Sequence, residues 1–314
     1  MTRNVSEGDG LILSKPKVPS DWRIDEYLAA QKERVDARLK QLPLSPGKPT
    51  KAREAMRYAL DSKGKRFRPL LTIAAADIYR LGHSDLVLDC AVAIECIHTA
   101  SLVFDDLPCM DDAKLRRGRQ PTHLVYGESQ ATLAGMSLIA EANQLVSRGT
   151  RERRRSLLQK RLECLHILNG SFSIEGLSGG QSDDLLNKTS LSLAEVEYIH
   201  AKKTGSLFVA CVETAAVLAD ATPNERQWLK SFAKNLGLAF QIQDDLLDLK
   251  SSGETGKDQH QDQGKTNFVS LAGERQCRVL YNDLIEVALK NLEPFGASAF
   301  HLLELTRLIQ QRPF

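Results

Sequence analysis

The sequence predicts an all-α chain folded as one large helical bundle around a central cavity. Apolar residues recur at three- and four-residue spacings through most of the 314 positions. No strand-like alternation of comparable length interrupts them, and the breaks fall at Gly, Pro, Asn and Ser clusters. Eight or more helices of this length suit a bundle, in which cofactor and metal sites form between facing helices. With 42% hydrophobic residues the chain can bury a large core. Residues 21–314 are therefore expected to form a single domain behind a loose tail at 1–20.

The tail holds scattered Gly, Ser and Pro without periodicity. Helical spacing begins at Ile24 and runs to Leu42, where LPLSPGKP (42–49) breaks it. It resumes over Ala52 to Leu60 and Leu70 to Leu81. Leu86 to Asp106 follows and contains the longest apolar stretch, Cys90 to Phe104. That stretch is interrupted by Glu95, His98, Thr99 and Ser101 and falls short of the roughly 20 apolar residues a membrane span needs, so it reads as a buried core helix and not a transmembrane segment. The pattern continues over Ala131 to Val146, Leu157 to Gly170, Leu193 to Asp220, Glu225 to Leu249 and Cys277 to Leu292.

Composition narrows the function classes. A net charge of +2 gives no reason to invoke nucleic acid, so any anion binding must be local. The six cysteines form no CxxC pair, which argues against a zinc site or a disulfide framework. MTRNVSEGDG carries acidic residues and lacks an apolar h-region behind a basic start, so a cytoplasmic protein is expected. The basic stretch Arg148 to Arg161 reads as a solvated loop and helix start, with attraction to an anionic membrane as the alternative.

Chemistry concentrates in two acidic clusters. Asp105-Asp106-Leu107-Pro108-Cys109-Met110-Asp111-Asp112 directly follows the apolar run, so carboxylates emerge at the end of a buried helix. Hard oxygen ligands presented together suit Mg²⁺, which takes one or two carboxylates plus water and substrate phosphates. A solvated acidic turn is the alternative. Asp244-Asp245-Leu246-Leu247-Asp248 forms the second cluster, with Asp244 and Asp248 one helical turn apart. Basic runs adjoin the first cluster: Lys63, Lys65, Arg66 and Arg68 before Pro69, then Arg116, Arg117 and Arg119. Arginine forks and lysine point charges both suit a pyrophosphate, although surface charge has the same composition.

KGKRFRP, IHTASLVFDDLPCMDDAKLRRG, GGQSDDL, KKTGSLF, FQIQDDLLD and GKDQHQDQGKTNF occur in the order seen in trans-isoprenyl diphosphate synthases, which the chain resembles over residues 50–275. The first motif, with four residues between its aspartate pair and Asp111, is similar to that of farnesyl and geranylgeranyl diphosphate synthases. The short GKDQHQDQGK loop is similar to that of bacterial carotenoid-pathway geranylgeranyl diphosphate synthases. Class I terpene cyclases share an aspartate-rich first motif but differ from DDLLD in the second.

The resemblance implies the isoprenoid synthase fold, a homodimer, and a prenyltransferase joining isopentenyl diphosphate to allylic diphosphates. It implies several Mg²⁺ ions, replaceable by Mn²⁺, held by Asp105, Asp106, Asp111, Asp244, Asp245 and Asp248. Arg116, Lys203 and Lys257 would hold the allylic diphosphate, with Lys265 in the same loop. Lys65, Arg68, His98 and Arg117 would hold isopentenyl diphosphate. Thr204 and Gln241 would aim oxygen dipoles at the carbocation. Ala100 and Ser101 would set chain length: five residues before Asp105 is about 7.5 Å back along the helix, and a small residue there favours C20 over C15. A farnesyl diphosphate synthase and a regulatory subunit are the alternatives. One departure stands out: after Leu133-Ala134-Gly135 the family usually places Asp-Ala, where this chain has Met136-Ser137.

Overall fold

The computed structural model describes residues 22–44, 47–62, 64–148, 155–186, 191–248 and 266–311. Among them there is no strand, only one isolated bridge between Arg116 and Arg119. The architecture is an all-α helical bundle. The N-terminal elements are α1 (Ile24–Lys40), α2 (Lys51–Leu60), α3 (Phe67–Asp77) and α4 (Asp85–Asp105). Then come α5 (Thr122–Tyr126), α6 (Glu128–Ser147), α7 (Arg155–Phe172), α8 (Leu177–Leu185) and α9 (Leu193–His200). A π-helical turn (Ala201–Gly205) leads into α10 (Ser206–Leu218), followed by α11 (Pro223–Asp248) and α12 (Phe268–Lys290). A 3₁₀ segment (Glu293–Ala299) joins α12 to α13 (Phe300–Gln310).

Helix boundaries follow local chemistry. α3 begins three residues earlier than the apolar spacing predicts, because Pro69 sits in the first turn, where a missing N–H costs no intrahelical bond. α9 and α12 open with capping boxes, Ser192 with Glu195 and Asn267 with Ser270. The expected helix Leu193 to Asp220 is interrupted at Ala201–Gly205, where one extra residue per turn is accommodated.

Three helices lie outside the predicted set, among them the five-residue α5, too short to show a period. α8 falls in a Gly- and Ser-rich stretch, and its brevity and weak apolar pattern hid it. α13 was legible: Leu302, Leu305 and Ile309 repeat at helical spacing and are buried.

One continuous cluster of buried side chains runs from Val35 to Ile309. α4 lies at its centre, packed along α6 and crossed by α3 and α10, while α10 also meets α7 and α11. α4 is the one helix among the described residues long and apolar enough to cross a membrane, yet it is almost wholly buried in protein. Its two internal carboxylates are paired rather than stranded: Arg38 Nε donates to Asp89 at 2.8 Å, and Arg66 Nη1 to Glu95 at 2.8 Å.

Two sequence puzzles resolve outside any site. Met136 is 58% exposed and Ser137 donates to the Leu133 carbonyl, so the departure from Asp-Ala alters only the outer face of α6. Lys160 and Arg161 donate to the Leu218 and Val146 carbonyls, at the C-terminal ends of α10 and α6. Cations at those ends meet free carbonyls and the negative end of the helix dipole. The rest of that basic stretch, 149–154, lies outside the described residues.

Candidate active site

The apolar faces of α4 force it to end where its carboxylates emerge. Asp105 closes the helix, and the chain then folds back so that the Asp111 N–H donates to the Asp105 carbonyl at 2.9 Å. Both aspartates are thereby held in one short loop. Burial pushes the Asp105 carboxyl up to about 6, with the Lys203 ammonium opposing and Asp111 adding to the rise. Asp106 is 3% exposed and receives Arg116 Nε at 2.8 Å. Its pKa is raised by burial and pulled back by that guanidinium. Asp112 is exposed and pairs with Lys114.

On α11 the second cluster divides by role. Thr204 donates to Gln241 Oε1 at 3.1 Å, and Gln241 Nε2 donates to Asp245 Oδ1 at 2.9 Å. The Phe268 N–H donates to Asp245 Oδ2 at 3.2 Å. Asp245, 4% exposed, thus has both oxygens engaged by protein and ties the π-turn, α11 and α12 together. Asp244 is half-buried, and its charge reaches Arg68. Asp248 ends α11, but its side chain lies outside the described residues, as do Lys63, Lys257 and Lys265.

A third group gathers at the start of α3. Arg68 Nη1 and Arg117 Nη2 both approach His98 Nε2, at 3.3 and 3.4 Å. Guanidinium can only donate, so Nε2 accepts and the imidazole is neutral. Burial, then Arg68 and Arg117, push the His98 pKa well below its ordinary value. Arg68 also lies over the Phe208 ring at 5.1 Å, and its Nε is buried without a partner. Lys65, two residues before the helix, is exposed. The loop thus brings together Arg68, His98 and Arg117, three of the four residues expected to bind one diphosphate.

Lys203 joins these groups. It sits in the π-turn beside Thr204, influences Asp105 and donates to Asp184 on α8 at 2.7 Å. The contact needs Gly180: a Cβ there would lie 2.3 Å from the Lys203 backbone nitrogen, so α8 and the π-turn touch backbone to backbone. From the same helix Gln181 Nε2 reaches Met110 Sδ at 4.0 Å, in the first acidic loop. Asp184, Gln181 and Glu95 belong to the site and were missed by sequence reasoning. GGQSDDL held a carboxylate pair whose significance was readable. Glu95 had its signal too, as a carboxylate inside an apolar helix.

Carboxylates thus lie on α4 and α11, and cations on α3, the Arg116–Arg119 loop and the π-turn, within electrostatic reach of one another. Among the described residues no three His, Cys, Asp or Glu side chains converge tightly enough to hold an ion alone. That suits Mg²⁺, which needs few protein ligands when substrate phosphates complete its shell. The carboxylate oxygens and the strained ionisation of Asp105 fit such an ion. A cavity of about 880 Å³ lies elsewhere, between α7, α9, the π-turn, α10 and α11, crossed by the pairs Arg226–Glu163 and Lys230–Glu213. It holds none of the sequence-selected residues.

Residues 49–281 match the polyprenyl synthetase family model. The chain is 36% identical to the farnesyl diphosphate synthase of Geobacillus stearothermophilus, covering 90% of this chain and 96% of that one. It is also 36% identical to the geranylgeranyl diphosphate synthase of Cyanophora paradoxa, covering 93% and 98%. Among solved structures, Helicobacter pylori geranyltransferase complexed with magnesium and isoprenyl diphosphate superposes with a TM-score of 0.80 at 29% identity, covering 92% of this chain and 98% of that one.

Proposed function

The chain belongs to the polyprenyl synthetase family, and from that premise we propose that it is a Mg²⁺-dependent synthase making geranylgeranyl diphosphate (C20). It would do so by condensing isopentenyl diphosphate with allylic diphosphates. The observation that carries this is the Lys203 charge acting on Asp105 together with the separate Arg68–His98–Arg117 group, which supports one position for each diphosphate.

Asp105, Asp111 and Asp244 would hold the magnesium, which supplies charge stabilisation to the departing pyrophosphate. Arg116 and Lys203 are paired with Asp106 and Asp184. They neutralise the allylic diphosphate by exchanging those carboxylates for phosphate oxygens. The allylic C–O bond then breaks, and its electron pair leaves with pyrophosphate. Arg68, His98 and Arg117 hold isopentenyl diphosphate so that its alkene adds to the cation, forming the new C–C bond. A proton passes from the adduct to pyrophosphate, which restores the alkene. Thr204 and Gln241 present oxygen dipoles to the cation, and the packed bundle excludes water that would quench it.

Support for C20 comes from Ala100 and Ser101, both small and buried on α4 behind Asp105. A C15 product is the second reading, favoured by the similarity to a farnesyl diphosphate synthase. Self-association through the outer face of α6 and α7 is part of the proposal, since Leu133, Met136 and Leu162 are 46%, 58% and 58% exposed there. Incubation with isopentenyl diphosphate, Mg²⁺ and each of dimethylallyl, geranyl and farnesyl diphosphate, with chromatography of the dephosphorylated products, tests reaction and length together. Absence of any prenyl product would refute the assignment, and a C15 end point would replace C20.

A further inference from the structure

Arg66 lies between Lys65 and Phe67, inside the cationic loop, yet each of its three guanidinium nitrogens already donates within the protein. Nε donates to Asp36 on α1 at 2.9 Å, Nη1 to Glu95 on α4 at 2.8 Å, and Nη2 to the Leu60 carbonyl at the end of α2 at 2.8 Å. The residue is 7% exposed and adopts φ 51°, ψ 35°, a left-handed conformation that side chains other than Gly, Asn and Asp seldom take. A strained backbone persists only where its surroundings over-determine it. Here three helices do so through one side chain.

The strain has a geometric result. It turns the chain sharply between exposed Lys65 and α3, so that Arg68, in the first turn of the helix, reaches inward to His98 while Lys65 stays exposed. Arg117, also left-handed at φ 55°, is packed on the same loop: a Cβ on Gly64 would stand 2.8 Å from Arg117 Nη1 and 3.4 Å from Arg66 Nη1. Glu95, 1% exposed and one turn before His98 on α4, is the buried carboxylate whose field reaches Arg66, Arg68 and Arg117 together. Without it these cations would repel one another in a low-dielectric setting.

We infer that Arg66 is a positioning residue that fixes the spacing of Lys65, Arg68 and Arg117 without touching substrate, with Glu95 as the counter-charge that keeps those cations assembled. This deepens the reading above that the three bind isopentenyl diphosphate, and rests on it. Arg66 thereby governs affinity for isopentenyl diphosphate and leaves the allylic diphosphate, held on the far wall, unaffected.

The test is steady-state kinetics of the full chain with each substrate varied in turn, for Arg66→Lys, Glu95→Gln, Gly64→Ala and Arg68→Ala. Lysine keeps the charge but carries its donors on one nitrogen and not across a planar fork, so it cannot reach Asp36, Glu95 and the Leu60 carbonyl on three sides at once. The expected result for the first three variants is a KM for isopentenyl diphosphate raised about tenfold, with the allylic KM within about twofold and kcat reduced less than the isopentenyl kcat/KM. An unchanged isopentenyl KM in Arg66→Lys and Gly64→Ala, or a parallel rise in both KM values together with a lowered Tm, overturns the inference. Arg68→Ala separates the two layers: if it too leaves the isopentenyl KM unchanged, the assignment of the diphosphate site fails, whereas if it alone raises that KM, only the role of Arg66 does. Gly64→Ala removes no charge and acts through Arg117, so it keeps the test decisive where an Arg66 variant does not fold.

Discussion

Lys203 Nζ lies 2.7 Å from Asp184 Oδ2, an ion pair that joins α8 to the π-turn beside the first acidic loop. Each partner keeps some solvent contact, so the pair can be exchanged for a phosphate oxygen at little desolvation cost. Lys203→Ala is expected to lower kcat by about 10²-fold, the scale for removing one electrostatic stabiliser. Asp184→Asn is expected to lower kcat by about tenfold, since Lys203 keeps its charge but loses its anchor. Single-turnover rates with saturating allylic substrate measure both, and equal losses would give Asp184 a direct part in the chemistry.

Asp105→Ala and Asp244→Ala should each lower kcat by about 10³-fold or more, because on the proposed reading each removes an oxygen ligand of the magnesium. A chelator should abolish turnover and Mg²⁺ restore it. Activity within tenfold of wild type in either variant would remove that wall from the metal site.

With its pKa pushed up to about 6, Asp105 would make the proposed Mg²⁺ binding proton-linked. Mg²⁺ binding must displace a proton wherever that carboxyl is protonated, so affinity in the presence of a diphosphate should fall as pH drops from 7.5 to 5.5. Calorimetry in two buffers of different ionisation enthalpy should register proton release near pH 6 and none near pH 8. The stability sign follows: a carboxyl whose folded pKa exceeds its unfolded value favours folding fully below the unfolded pKa, and that contribution is lost as pH rises through about 6. Asp105→Asn should therefore raise the Tm of metal-free protein at pH 7.5 and leave it unchanged near pH 4.

Ala100→Tyr should shift product from C20 toward C15, because a ring placed about 7.5 Å behind Asp105 fills the path of the growing chain. Chromatography of dephosphorylated products reads the change. An unaltered profile would mean the chain runs along another face.

If the proposed self-association runs through α6, Leu133→Glu with Met136→Glu should leave the protein monomeric where the unsubstituted chain is dimeric, measured by light scattering after gel filtration. Charges at these exposed positions cost little in the monomer and much in an apolar interface. An unchanged mass would move the interface elsewhere.

Much of this was legible in one sequence, for a physical reason. Long buried helices such as α4 and α10 declare themselves by spacing, and Asp105, Arg116 and Lys203 lie in short motifs whose residues are neighbours in the chain. Less legible were relationships between distant segments. Nothing local states that Arg66 faces Glu95 and Asp36, that Asp245 takes the Phe268 N–H, or that Asp184 meets Lys203. Arg66 and Arg68 read alike as phosphate-binding cations, yet the first is wholly engaged inside the protein and the second keeps a buried, unpartnered Nε. Asp245 read as a companion of Asp244, but its neighbours on the helix turn it into a brace. The π-turn was hidden because its extra residue leaves the apolar rhythm on either side intact.

That turn carries a wider implication. α9, Ala201–Gly205 and α10 form one rod with a single surplus residue, and each residue in an α-helix advances the facing by about 100°. Deleting one residue within the turn would leave an uninterrupted α-helix, but Lys203 and Thr204 could no longer face Asp184 and Gln241 while α10 kept its buried side. A one-residue deletion library across this segment therefore separates what the facing of the turn contributes to folding from what it contributes to the proposed reaction.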